Sequence, residues 1–92
     1  MSSRAPLFPL GNLYSTPGAL AVLSHEDIAR AITRHQFGDW GDVCPEDKQT
    51  NDESLQTGAR LFSVYRGQND AKFWIITESD RSATTVLLPE EY

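Results

Sequence analysis

The stretch K-F-W-I-I-T-E, Lys72 to Glu78, decides the fold. Phe73, Ile75 and Thr77 alternate with Trp74, Ile76 and Glu78, the period of a β-strand whose successive side chains point to opposite faces. Both sets are partly apolar, which describes a strand covered to some extent on each side. Working outward, G-Q-N-D (Gly67–Asp70) precedes it and S-D-R-S (Ser79–Ser82) follows it, and both are rich in turn formers. Beyond these turns lie L-F-S-V-Y-R (Leu61–Arg66) and A-T-T-V-L-L (Ala83–Leu88), dense in aromatic and β-branched residues. Three strands joined by two short turns predict an antiparallel meander over residues 60–89.

Upstream of the meander the period changes to that of a helix. Ser24 with Asp27 approximates a capping box, and Ile28, Ile32 and His35 recur at i, i+4 and i+7. These predict an amphipathic helix over about 25–36, stopped by Gly38. Thr16 and Pro17 suit an N-cap and a first helical position, so one or two helical turns are expected over 17–23. Pro45-Glu46-Asp47 opens a further helix that Gly58 ends. Leu55 is the one large apolar residue in it, so this helix needs a partner or strong anchoring. Asn12–Ser15 is a candidate fourth, edge strand, and residues 1–11 read as an extended apolar segment. The expected architecture is one α+β domain over 1–92: two to three short helices followed by the three-stranded meander. Helices are expected on one sheet face, and the N-terminal segment or a second subunit on the other.

Composition narrows the class. Ninety-two residues make one domain that buries roughly 60–65% of the surface exposed when unfolded, a thin core. A hydrophobic content of 39% is too high for a disordered chain. No apolar run approaches the roughly 18 residues of a membrane span, and the first residues lack the apolar stretch of a secretory signal. A cytoplasmic protein is expected. Cys44 is the sole cysteine, so no internal disulfide forms. Together with His25 and His35 it offers fewer than the four ligands of a structural zinc, and no metal or cofactor is expected. Phosphate-loop, dinucleotide, zinc-protease and nucleophile-elbow motifs are absent from the sequence.

The charge is placed unevenly. Residues 38–55 hold Asp39, Asp42, Glu46, Asp47, Asp52 and Glu53 against Lys48 alone, so this segment carries the entire net charge of −5. Such a patch repels phosphate backbones, which argues against direct nucleic-acid binding, and attracts a basic protein. A solvated face is the plainer meaning of such a run.

R-H-Q-F-G-D-W-G-D, Arg34 to Asp42, concentrates the candidates for chemistry. Gly38 and Gly41 allow a sharp reversal around Asp39-Trp40. Trp40 either plugs the gap between helix and sheet, which a thin core favours, or stays outside as an anchor among the partner-binding residues Asp39, Asp42, Glu46, Asp47, Asp52 and Glu53. His35 closes a helix and is either a satisfied core histidine or a general base facing a cleft. Small ribonucleases of the barnase and colicin group resemble the expected architecture, with a helix before an antiparallel sheet. That likeness implies an alternative enzyme in which His35, Glu78, Arg81 and Thr85 gather on the sheet face. A ribonuclease needs a basic surface for its substrate, which the sequence does not place near this loop.

Longer stretches carry another resemblance: P-L-F-P-L-G, S-T-P-G-A-L, R-H-Q-F-G-D-W-G-D and F-W-I-I-T-E-S-D-R-S-A-T-T-V-L-L-P-E-E-Y. Over about residues 7–92 the chain resembles a family of small proteins carried on plasmids, prophages and integrated elements, some labelled as a type I restriction modification subunit. A DNA methyltransferase requires a cofactor-binding α/β domain with a Gly-rich loop, which this sequence lacks. The resemblance supplies no catalytic residues; it implies a mobile-element product. Small acidic proteins in that setting inhibit host defences such as CRISPR effectors or restriction enzymes. The expected function is therefore non-enzymatic inhibition of a nucleic-acid-binding defence protein by a phosphate-mimicking surface. A homodimeric accessory protein, pairing through a sheet face or edge, is a further alternative.

Overall fold

The computed structural model describes residues 5–92, so the first four residues of the expected N-terminal segment lie outside it. Thr16 caps α1 (Pro17–Val22) by accepting from the Ala19 N–H, and Ser24 caps α2 (His25–Gln36) by accepting from the Asp27 N–H. The third helix, α3 (Pro45–Thr57), starts at Pro45 and ends at Gly58 in the left-handed conformation. The strands are β1 (Asn12–Ser15), β2 (Leu61–Arg66), β3 (Lys72–Thr77) and β4 (Ala83–Leu87), and a short 3₁₀ turn, Pro89–Glu91, follows.

The fold is α+β, and its sheet corrects the expected meander. β2, β3 and β4 pair antiparallel as predicted and the candidate edge strand Asn12–Ser15 forms as β1, but the four strands run in the order β1-β4-β3-β2 with β1 parallel to β4. The sheet is therefore mixed, and one strand precedes all the helices. Connectivity permits the parallel pairing: β1 runs directly into α1, and the chain reaches β4 only after three helices and two strands, ample for a crossover.

One sheet face carries Leu61, Ser63, Tyr65, Phe73, Ile75, Thr77, Thr84 and Val86, opposite one another in register. Two apolar clusters form there. Ala19, Leu23, Ala31, Tyr65, Phe73, Ile75, Val86 and Leu88 make one under α1 and α2. Phe8, Trp40 and Leu61, joined by Leu10, Val43 and Leu55, make the other. Burying each large side chain contributes about 1.5–3 kcal/mol. The N-terminal segment thus packs on the helix-bearing face through Phe8, whose ring meets His35 edge-on at 5.2 Å. Its described residues do not cover the opposite face.

The outer edge of β2 is closed by two devices. Gly41 forms a parallel bridge with Val64: the Val64 N–H donates to the Trp40 carbonyl (3.1 Å) and the Asp42 N–H to the Val64 carbonyl (2.8 Å). Gly41 has φ 76°, and a Cβ there would stand 1.9 Å from the Val64 carbonyl oxygen. Two residues along, the Asn51 side chain donates to the Phe62 carbonyl (2.6 Å) and accepts from its N–H (3.1 Å). That amide occupies the place of a neighbouring strand. It answers how a helix with so little apolar surface is held: α3 is fixed to the sheet by polar bonds.

Candidate binding surface

The residues proposed for catalysis do not converge. His35 is fully buried. Its Nδ1 lies 2.5 Å from the Ser63 hydroxyl and its Nε2 2.9 Å from that of Thr77; Thr77 is 2.8 Å from Thr84, whose hydroxyl donates to the Leu10 carbonyl at 2.7 Å. The last bond sets the direction of the rest. Thr84 spends its proton on a carbonyl, so Thr77 donates to Thr84, His35 donates from Nε2 to Thr77, and Ser63 donates to Nδ1. His35 is thereby the neutral Nε2–H tautomer. Burial, with the charge of Arg81 second, pushes its pKa down to about 3. Such an imidazole is a structural joint between the two apolar clusters, with no path to substrate.

Arg81 is equally occupied. Its guanidinium donates to the carbonyls of Ala59 (2.7 Å), Ser54 (3.0 Å) and Glu78 (3.1 Å) and sits 5.7 Å over the Phe8 ring. A cation placed beyond the C-terminal end of α3 complements the helix dipole, and its bond to Ser54 is added to the one that carbonyl accepts from the Gly58 N–H. Thr85 pairs across from Ile76 and so lies on the sheet face opposite that of His35, and Glu78 is exposed just past the end of β3. The ribonuclease-like constellation is not assembled.

Trp40 is also corrected as a partner anchor. It is 2% exposed, stacked on Phe8 and edge-on to His35, and its indole N–H donates to Asp52 at 3.0 Å. The inward alternative holds.

The acids divide into two groups. Asp39 is gripped by Arg34 through two bonds of 2.7 and 3.1 Å, and this guanidinium holds its carboxyl below the usual range. Asp42 faces Arg66 at 3.9 Å. Asp52 receives the Trp40 N–H and the Lys48 ammonium (3.2 Å), which lower its pKa in that order. Glu46, Asp47 and Glu53 are exposed and have no ion pair among the described residues. The patch of six thus reduces to three carboxylates free of ion pairs among the described residues, Glu46 and Glu53 on the solvent side of α3 and Asp47 on the side of the helix that meets the sheet. Cys44, the residue before the helix, is exposed, with its thiol 3.9 Å from the Glu46 carboxylate.

Beside these acids runs a groove of about 400 Å³ on the sheet face away from α1 and α2. Phe62, Trp74 and Ile76 floor it, Tyr92 and Arg60 form one wall, and Asp47, Thr50 and Asn51 of α3 the other. The aromatic rings are set edge to face, Phe62 to Trp74 at 5.0 Å and Trp74 to Tyr92 at 5.6 Å. The Thr50 hydroxyl is committed to the Glu46 carbonyl and Asn51 to Phe62, which leaves Asp47 as the carboxylate open to a ligand. The arrangement is an aromatic, apolar slot whose rim carries one carboxylate, Asp47, and one guanidinium, Arg60, which lies 5.6 Å over the Tyr92 ring. The signal for it was in the sequence: Phe62, Trp74 and Ile76 are the second face of the meander.

Among the described residues no group of three or more His, Cys, Asp or Glu side chains could hold a metal, and no helix is long and apolar enough to cross a membrane. Compared with known proteins, the chain matches no family model, no curated protein and no solved structure.

Proposed function

We propose that the protein is a non-enzymatic binding protein that presents the solvent side of α3 to a basic surface of a cytoplasmic partner. The observation that carries this reading is the separation of roles within α3. Asn51, Asp52 and Ser54 hold the helix to the body, while Glu46 and Glu53 stay free of ion pairs on its outer side and Asp47 does so at the groove rim. Glu46 and Glu53 are seven residues, or about 10 Å, apart along the helix, so the acids form a short negative row. Carboxylates so placed imitate phosphates before a groove that binds nucleic acid. The groove with Asp47 on its rim gives the partner an apolar anchor next to the charge.

With the resemblance to mobile-element proteins, this surface fits an inhibitor of a host defence complex, of anti-CRISPR or anti-restriction type. The partner is the basic protein itself; nucleic acid competes for the same surface. Charge reversal of Glu46, Asp47 and Glu53 to Lys tests the reading, with loss of partner capture expected and an unchanged fold by circular dichroism. Capture that survives the reversal refutes it.

A further inference from the structure

The two edges of the sheet are treated differently. The β2 edge is closed at Phe62 and Val64 by Asn51 and by the Gly41 bridge. The β1 edge has no strand, helix or side chain paired along it among the described residues. Nor does it carry the usual protection: N-L-Y-S contains no charge, no proline and no bulge. Leu13 and Tyr14 are 53% and 54% exposed, and Leu20 and Val22 of the adjoining α1 are exposed too. Among the described residues, four of the six exposed large apolar side chains therefore lie between residues 13 and 22.

Ladder geometry specifies what this edge accepts. The Asn12 N–H donates to Ser82 and the Thr16 N–H to Val86, so the even-numbered residues of β1 turn their main chain toward β4. Leu13 and Ser15 turn theirs outward. The occupant must be a strand. Charge selects its identity: β1 is neutral, and the acidic helix α3 packs at the opposite, β2 edge of the sheet. Two copies can therefore approach edge to edge with their net charges of −5 held apart.

We infer that β1 pairs antiparallel with β1 of a second copy, making a continuous eight-stranded sheet. The two-fold axis passes between the Tyr14 residues, which face each other as a non-hydrogen-bonded pair. Leu13 of each copy then meets Ser15 of the other, giving four main-chain hydrogen bonds. The acidic helices end at the two far ends of the dimer, pointing outward. This assembly does not depend on the proposed partner.

Sedimentation equilibrium of the full chain, from about 1 µM to 1 mM because a short edge makes a small interface, tests it. The expected mass approaches twice 10.3 kDa with rising concentration. Tyr14→Lys, which sets two cations opposite each other, and Leu13→Pro, which removes an outward N–H the fold does not use, each return it to the monomer value. Circular dichroism of both variants stays that of the wild type. A monomer mass throughout, or a dimer that persists in both folded variants, overturns the inference.

Discussion

The side-chain amide of Asn51 satisfies both main-chain polar groups of Phe62, standing in for the strand that β2 lacks. A helix nearly free of apolar residues is thereby tied to the sheet, and the same helix is left with one side for solvent. Asn51→Leu keeps the volume but leaves the Phe62 N–H and carbonyl without partners. Each unsatisfied buried group costs about 1–3 kcal/mol, so urea unfolding should show a loss of about 2–4 kcal/mol at an unchanged m-value. A loss below about 0.5 kcal/mol would mean that α3 is held by something else.

His35 predicts how stability responds to acid. The folded imidazole, with a pKa of about 3 against an ordinary value of 6.5, stays neutral, while the unfolded one takes up a proton below 6.5. The unfolded state binds more protons in that window, so the stabilisation is complete above pH 6.5 and is lost as pH falls toward 3. The slope is at most about 1.4 kcal/mol per pH unit. Asp39 and Asp52 have lowered pKa values, so their stabilisation is lost only below the usual carboxylate range. Glu91, also held below the ordinary glutamate value by the Thr16 hydroxyl, loses its contribution below about pH 5.5. Denaturation midpoints between about pH 5.5 and 6.5, a unit or more above the ordinary carboxylate values, therefore report mainly on His35. His35→Gln should flatten that slope, and an equally steep slope in the variant would show that another group is responsible.

Gly41 is predicted to tolerate no side chain. Its φ of 76° and the 1.9 Å approach of a Cβ to the Val64 carbonyl mean that Gly41→Ala must break the bridge to β2. The expected loss is about 2–4 kcal/mol, read by thermal or urea unfolding, with faster amide exchange at Val64 and Asp42. Unchanged protection of these two amides would show that the bridge does not close the β2 edge.

Much of this fold was legible because its signals are local. Caps at Thr16 and Ser24, the stop at Gly58 and the alternation over Lys72–Glu78 are written within a few residues of one another. What escaped is written across distance. Nothing adjacent to Asn12–Ser15 says that it lies parallel to β4, and nothing near Asn51 says that its amide meets Phe62. His35 is legible as the end of an apolar stripe, but its tautomer depends on Thr84 and the Leu10 carbonyl, remote in sequence. The acidic segment was legible as composition alone; the partners Arg34, Arg66 and Trp40, which withdraw half of it, are set by the tertiary fold.

That division defines the most direct test of the central claim. Affinity capture from host lysate is compared for the wild type and for the variant with Glu46, Asp47 and Glu53 changed to Lys, leaving Asp52 to hold Trp40. Reversing three exposed charges that face cations removes at least about 3 kcal/mol, or more than about 100-fold in affinity. The wild type should retain a basic nucleic-acid-binding protein that added salt or competing DNA releases, and the folded variant should retain none. Equal retention by both would contradict the account.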